Sequence, residues 1–470
     1  MSTEEKKTRK MAFPNAWVIV AAMIAVVAIL SWIVPSGSYD YQTVNVNGTE
    51  RSVAIEGTYH VIEKSETTQT GFLGIFSAMY RGCVQAADII FVTLCCAGTF
   101  GIMVKTGAFH AGIGTVLKKT GEKSLLLAPV LFLLFGIGAS ALGMLTEFYG
   151  FYPLVIGLFV ALGYDAMTGF AIIALGEYVG FMGATLNPYT VAVAQSVAGV
   201  TLYSGLGFRV VCFLIFLAIS CIYTIRYARK VKKNPQLSIV RDHHCVHAVD
   251  TGALNDYQMN TRNALVLLDL LITLVVLIIG LIKWSWGYKE LCGLFILMSV
   301  IGAALSGWTP NHYCDEFVDS AKNVVWGIIL IGLAKGIMVV MNDSGIIDTI
   351  VYALSGVLKG APKMISAQLM LLVQTILNFP INSGSGQAVV TMPIMAPLAD
   401  AVGISRQVAC LAFQFGDGLT NLLWPTGGIV IACGIGDIPY EKWLKWFIPL
   451  FFILYVVQMV ILGVAVAVGI

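Results

Sequence analysis

The stretch Asn378-Phe-Pro-Ile-Asn-Ser-Gly-Ser-Gly-Gln387 interrupts apolar, helix-forming sequence: Ile365 to Leu377 leads into it, and apolar sequence resumes at Ala388. The break is too short for an extramembrane loop and too polar to face lipid. In hydrocarbon every backbone N–H and C=O needs a partner, so non-helical backbone at membrane depth persists only inside protein or beside a watery cavity. The expected element is a re-entrant helical hairpin whose tip, 382–386, lies at a binding site.

The membrane setting follows from composition. Of 470 residues 58% are hydrophobic and 11% charged, against about 25% charged in soluble domains. Several apolar windows exceed the roughly 18 residues of a spanning helix. The class is an all-α polytopic membrane protein, with the lipid bilayer as a partner. The ten cysteines show no paired spacing; Cys95, Cys96, Cys212, Cys410 and Cys433 fall in apolar segments and read as packing residues. Pro14 to Val34 is long enough to span, and no A-x-A-like site follows it, so it reads as a first span. Lys6, Lys7, Arg9 and Lys10 place the N-terminus in the cytoplasm. Lys118, Lys119, Lys123 and the cluster Arg226, Arg229, Lys230, Lys232 and Lys233 mark later cytoplasmic ends, and the count of crossings leaves the C-terminus outside.

The organisation expected from these signals has five parts. Residues 1–85 hold the first span, a polar extracytoplasmic segment and a surface helix. Residues 86–229 form a first repeat: a span, a hairpin with tip 143–147, a helix broken at 180–188, and a span. Residues 230–262 are a cytoplasmic linker. Residues 263–320 contain two spans and a surface helix at 309–320. Residues 321–470 form a second repeat: a span, the hairpin with tip 382–386, a helix broken at 416–428, and a last span. His243, His244 and His247 beside Cys245 lack a second ligand cluster, so the linker reads as solvated chain and no metal is expected.

The halves match at a separation of 240 residues: Pro153 with Pro393, Gly163 with Gly403, Gly176-Glu177 with Gly416-Asp417, and Glu147 with Gln387. After a three-residue adjustment, Asn187-Pro188 falls near Trp424-Pro425; Gly101-Ile-Met-Val104 corresponds to Gly336-Ile-Met-Val339. By the basic-flank rule the first repeat starts outside and the second inside. Inverted halves with paired broken segments point to a central transport site.

Each tip ends where a half-helix begins, near Phe148 and near Ala388, and the free N–H groups and dipole there favour a carboxylate. Thr146, Asn382, Ser383, Gly384 and Ser385 belong to these tips. The interrupted helices add Asn187, Thr420, Asn421 and Thr426, hard oxygens suited to a small cation or an ammonium group. Any one of them alone is as well explained by an interhelical hydrogen bond worth about 1 kcal/mol or less. An ionised group at mid-bilayer costs at least roughly 2.5–3.5 kcal/mol, which singles out Glu147, Glu177, Asp417 and Lys335. The substrate set is therefore Thr146, Glu147, Asn187, Asn382, Ser383, Gly384, Ser385, Asp417, Asn421 and Thr426. Glu177, Thr420 and Lys335 are the candidates for ion coupling or charge compensation, Lys335 also as a structural partner of a carboxylate. Three acids against one base leave a negative surplus for a cationic substrate, Na⁺ or H⁺. The sequence lacks H-E-x-x-H, G-x-S-x-G and P-loop motifs, and Gly136-Ile-Gly-Ala-Ser-Ala141 resembles a dinucleotide fingerprint only by letter. No cofactor and no nucleic-acid partner are expected.

Ser383-Gly-Ser-Gly386, Thr391-Met-Pro-Ile-Met-Ala-Pro-Leu-Ala-Asp400, Gln414-Phe-Gly-Asp-Gly418 and Pro425-Thr426 resemble the YfcC family of membrane carriers, relatives of the anaerobic C4-dicarboxylate carriers in the ion-transporter superfamily. In the first half the matching residues are Gly143-Met144, Glu147, Phe151-Tyr-Pro153, Gly163-Tyr-Asp165 and Asn187-Pro188. The resemblance covers nearly the whole chain. It departs at Thr146, where a second acid is usual, and at Lys335, where arginine is usual. It implies two inverted repeats with re-entrant hairpins, homodimers in the bacterial inner membrane, and elevator-type alternating access. The expected function is secondary transport of a carboxylate-bearing solute, an amino acid and basic rather than neutral. A C4-dicarboxylate carrier using Lys335 is the alternative, with a channel or membrane-embedded enzyme more remote.

Overall fold

The computed structural model describes residues 16–46, 49–55, 57–112, 115, 125–187, 189–243, 245–247, 259–284, 286–322, 325–356 and 362–470. The flanking Lys6, Lys7, Arg9, Lys10, Lys118, Lys119 and Lys123, and also Pro188 and His244, lie outside the described residues.

Helix α1 (Ala16–Ile33) leads into the polar segment, whose described residues form two short strand pairs and one 3₁₀ turn at Lys64–Glu66. Strand β1 (Gly37–Ser38) pairs antiparallel with β4 (His60–Val61), and β2 (Tyr41–Val46) with β3 (Thr49–Ala54). Thr43, Val44, Val46, Thr49 and Val53 in β2 and β3 suit a pleated ribbon. The all-α expectation is corrected to that extent. The remainder of the first half is α2 (Phe72–Gln85), α3 (Ala87–Lys105), α4 (Leu127–Ile137), α5 (Phe151–Ala161), α6 (Ala166–Gly183), α7 (Val191–Val197) and α8 (Leu206–Lys233). The second half is α9 (Thr261–Lys283), α10 (Tyr288–Leu305), α11 (Pro310–Lys322), α12 (Val325–Asp343), α13 (Ile346–Gly356), α14 (Lys363–Leu377), α15 (Gly384–Ala401), α16 (Arg406–Thr420), α17 (Gly428–Gly436) and α18 (Tyr440–Val468).

Among the described residues α6, α8 and α18 are each long and apolar enough to cross a membrane, and five spans result if each bent helix pair counts as one. One such pair joins α12 to α13 with a turn of 88°. Gly345, at φ 63°, supplies the left-handed residue at that corner. The span expected at the start of the second repeat therefore continues into a second helix that the hydropathy pattern did not separate.

Both helices expected to lie on the surface pack against partners. A Cβ at Gly82 of α2 would stand 2.1 Å from the Gly332 carbonyl oxygen of α12. One at Gly101 of α3 would stand 2.2 Å from Ser320 Cβ of α11. Small residues at these crossings let backbones touch, the usual way helices associate in lipid. Lys105 adds ion pairs to Glu316 and Asp319.

Two packed groups result, one of α1, α2, α3, α10, α11 and α12 and the other of α4 to α7 and α14 to α17, and α12 packs across onto α17. In the second group α6 is buried along its whole length. It crosses α16 where a Cβ on Gly418 would stand 2.4 Å from Met182 Cα. Asp165 caps α6 by accepting from Thr168 N, and its other oxygen accepts from Tyr227 and Ser238 hydroxyls.

The linker also departs from a solvated coil. His243 and His247 donate through Nε2 to the carbonyls of Asp437 and Ile435, both at 2.8 Å, and Val246 N donates to the Asp437 carboxylate. These bonds satisfy carbonyls left open at the end of α17, where Asp437 turns left-handed at φ 52°. Burial lowers the His247 pKa, partly offset by its bond to Ile435. Among the described residues no metal-ligand cluster occurs.

Candidate functional site

Both predicted hairpin tips are real interruptions. In the first, α4 widens into a π-turn over Gly138–Leu142, Gly143 adopts φ 73°, and Thr146–Phe148 forms one 3₁₀ turn before α5. In the second, α14 ends at Leu377 and α15 starts at Gly384, four residues earlier than the apolar pattern indicated. Ser383 is its N-cap and accepts from Gly386 N at 3.3 Å. The interrupted helices also break later than expected. Gly180 to Gly183 and Gly416 to Thr420 are still helical; the gaps are 184–190 and 421–427.

Each gap is stitched to the tip in its own half. Ser140 Oγ donates to Thr185 Oγ1 and accepts from Thr185 N, both at 3.0 Å. Asn187 Nδ2 donates to the Ala139 carbonyl at 3.4 Å, while its Oδ1 accepts from Tyr189 N and Thr190 N. In the other half, Asn382 Nδ2 donates to the Thr426 carbonyl, and Thr426 Oγ1 donates to the Phe379 carbonyl at 2.9 Å.

A cavity of about 470 Å³ opens between the four breaks. Thr146, Glu147, Lys335, Asn382, Ser383, Gly384, Ser385, Asn421 and Thr426, all expected at the site, line it. Asn187, Glu177, Asp417 and Thr420 do not. Asn187 braces the wall through Tyr189 and Thr190. Asp417 lies one layer behind Gly384: a Cβ there would sit 3.0 Å from Asp417 Oδ2 and 2.7 Å from Thr190 Cγ2. Glu177 accepts from the Tyr152 hydroxyl, and Thr420 Oγ1 donates to the Gly416 carbonyl of its own helix. The ring of Tyr149, Tyr178, Phe181, Tyr189 and Trp286 was not anticipated. Tyr178 adjoins Glu177 in sequence, but nothing local to Trp286 points here.

Among the described residues the lining holds one carboxylic acid, Glu147, and one amine, Lys335. Glu147 Oε2 accepts from Leu145 N at 2.9 Å, so the first tip is already occupied by the chain's own carboxylate. Lys335 Nζ donates to Asn382 Oδ1 at 3.3 Å, which puts a cation beside the N-terminus of α15. Behind that tip Asp417 Oδ1 accepts from Asn378 Nδ2 at 2.7 Å and from Asn421 Nδ2 at 3.3 Å. Asp417 Oδ2, Asn378 Oδ1, Thr190 Oγ1 and Glu177 Oε2 are buried without a hydrogen-bond partner among the described residues. Buried acceptors of this kind call for a proton or a cation.

An apolar helical chain that holds broken segments around a cavity of mixed charge has the make-up of a membrane transporter. Residues 13–467 match the family model described as DcuC, C4-dicarboxylate anaerobic carrier, and the chain belongs to that family. It is 32% identical to YfcC of Escherichia coli (strain K12), provisionally named a basic amino acid antiporter, over 98% of this chain and 97% of the relative. An uncharacterized protein of Haemophilus influenzae is 28% identical over 98% of each chain. Among solved structures the chain is similar to the YdaH transporter of Alcanivorax borkumensis, at 16% identity and TM-score 0.43, covering 97% of this chain and 99% of that one. It is also similar to MtrF of Neisseria gonorrhoeae, an antimetabolite efflux pump, at 15% identity and TM-score 0.43, covering 98% and 96%. Membership of a carrier family points away from an enzyme.

Proposed function

We propose that the chain is a secondary active carrier of an amino acid, with a basic side chain preferred. The observation that carries this reading is a pair of opposite sign lining one cavity: Glu147 in the first tip and Lys335 on α12 beside the second. An α-carboxylate fits Lys335 and the α15 N-terminus; an α-ammonium fits Glu147. The aromatic ring around the cavity suits a cationic side chain, a contact worth about 0.5–2 kcal/mol.

Alternating access by an elevator follows from two inverted repeats. Supporting details recur at 240 residues: α4 ends at Ile137 and α14 at Leu377, and Gly163 and Gly403 take φ 81° and 72°. Gly176 presses on Phe135 as Gly416 presses on Thr375. The two halves also exchange helices, α2 packing on α12 and α11 on α3. The group α4–α7 with α14–α17 would move against the other as a unit. Asp417, Asn378 and Thr190 would take the coupling ion, Na⁺ or a proton. The same reading has the protein as a homodimer in the bacterial inner membrane, N-terminus inside and C-terminus outside.

The second reading, a C4-dicarboxylate carrier, draws on the family description and on Lys335 beside the α15 N-terminus. Counterflow into proteoliposomes of labelled arginine, ornithine and succinate, with and without Na⁺, decides. Saturable exchange of arginine or ornithine is expected; transport of succinate alone overturns the amino acid reading, and flux without saturation or counterflow overturns the carrier.

A further inference from the structure

We propose that the cleft between the start of α4 and the end of α8 binds the headgroup of an anionic phospholipid. It has a volume of about 650 Å³, and its lining includes Leu125, Tyr164, Ile225, Arg229, Lys232 and Lys233. On α8 the last four recur at i, i+4, i+7 and i+8, which is one face of a helix. That face carries apolar sequence toward the helix middle and three cations at its end.

Among the described residues no ion pair includes Arg229, Lys232 or Lys233. The nearby carboxylate, Asp165, is already committed to Thr168, Tyr227 and Ser238. Lys232 is held in place: its Nζ donates to the Leu162 carbonyl at 3.2 Å and stands 4.5 Å from the centre of the Tyr164 ring. Arg229 and Lys233 are exposed and free to close on a ligand.

The other half of the cleft is apolar and leads into an uncovered ridge. Leu126 is 66% exposed, and Val130, Leu134 and Ile137 follow it along α4 at 62%, 61% and 52%. A soluble anion would meet the cations and leave the ridge bare; a zwitterionic lipid would cover the ridge and leave the cations unpaired. A phospholipid with net negative charge satisfies both, as basic pockets at membrane-helix ends do. Because α4 is an arm of the first hairpin and also packs on α8, an occupied cleft ties that arm to α8.

Native mass spectrometry of the purified full chain, titrated with phosphatidylglycerol, phosphatidylcholine or inorganic phosphate, tests this. Phosphatidylglycerol is expected to bind, phosphatidylcholine weakly, and millimolar phosphate not to displace it. The double variant R229Q/K233Q removes two cations and is expected to weaken binding roughly 30-fold. R226Q/K230Q removes the same charge from residues that do not line the cleft and is expected to bind as the parent does. Equal retention of phosphatidylcholine, equal loss in both doubles, or displacement by phosphate would overturn the proposal. Should R229Q/K233Q fail to fold, the parent chain's preference between the two lipids decides alone.

Discussion

Replacing Glu147 by Gln separates the two substrate readings by the sign of its effect. The side chain lines the cavity and is half-buried, in a setting where a charge-assisted hydrogen bond contributes about 1.5–3 kcal/mol. An amino acid whose ammonium rests on Glu147 should therefore bind roughly 10- to 150-fold more weakly to the variant. For a dicarboxylate the same substitution removes a like charge. At an effective dielectric of about 20 and a separation of about 8 Å, that repulsion is worth about 2 kcal/mol, so succinate should bind roughly 30-fold more tightly. Lys335→Gln, by contrast, should weaken either ligand, because the cation at Asn382 receives a carboxylate in both readings. The assay is equilibrium binding of labelled arginine and succinate to purified parent, Glu147→Gln and Lys335→Gln, with thermal melting to confirm folding. Unchanged arginine affinity in Glu147→Gln together with tighter succinate binding would refute the zwitterion argument.

Three further outcomes are expected. Asp417→Asn keeps the shape but discards the charge behind Gly384. Transport by the variant should lose its dependence on Na⁺ or on pH while the protein still melts cooperatively; retained ion dependence would remove Asp417 from the coupling site. Gly418→Ala places a methyl 2.4 Å from Met182 Cα, backbone that cannot rotate away, and overpacking of this kind costs about 1–3 kcal/mol; the apparent Tm should fall, and an unchanged Tm would mean the crossing is looser than described. Burial depresses the His247 pKa, so the linker docks with a neutral ring. Docking is then fully favoured above the ordinary histidine pKa of about 6.5 and weakens as pH falls below it. His243 stands 3.4 Å from the Asp437 carboxylate, and Asp242 with Lys442 completes the charged surroundings. Hydrogen exchange at 242–247, corrected for intrinsic rates, should rise on acidification in the parent and not in His247→Gln.

The breaks themselves were legible because hydropathy reports where backbone must leave lipid, and that constraint is local. Their edges were not, because a glycine in a membrane helix serves two ends that sequence cannot separate. Gly180 and Gly416 looked like breakers; they are helical, and their missing side chains admit the Gly136 carbonyl and Thr375 N to within 2.3 Å and 2.8 Å of where a Cβ would stand. The supposed surface helices failed for a related reason. An amphipathic stripe records that two faces differ, and it does not show that the small residues Ala78 and Gly82 of α2 meet α12. Tertiary contacts also placed Asp417 behind Gly384 instead of in the cavity wall, and brought Trp286 in from a connection with no sequence mark.

From sequence, a lone lysine among three acids is equally a structural neutraliser and a binding group. A neutraliser would stand within about 4 Å of a carboxylate; Lys335 forms no such pair among the described residues and donates to the neutral Asn382. Glu147 is likewise held by a backbone N–H and not by a cation. Opposite charges that share a cavity without cancelling are costly to keep for stability alone. On the proposed function, a solute bearing both signs would complete each of them in turn.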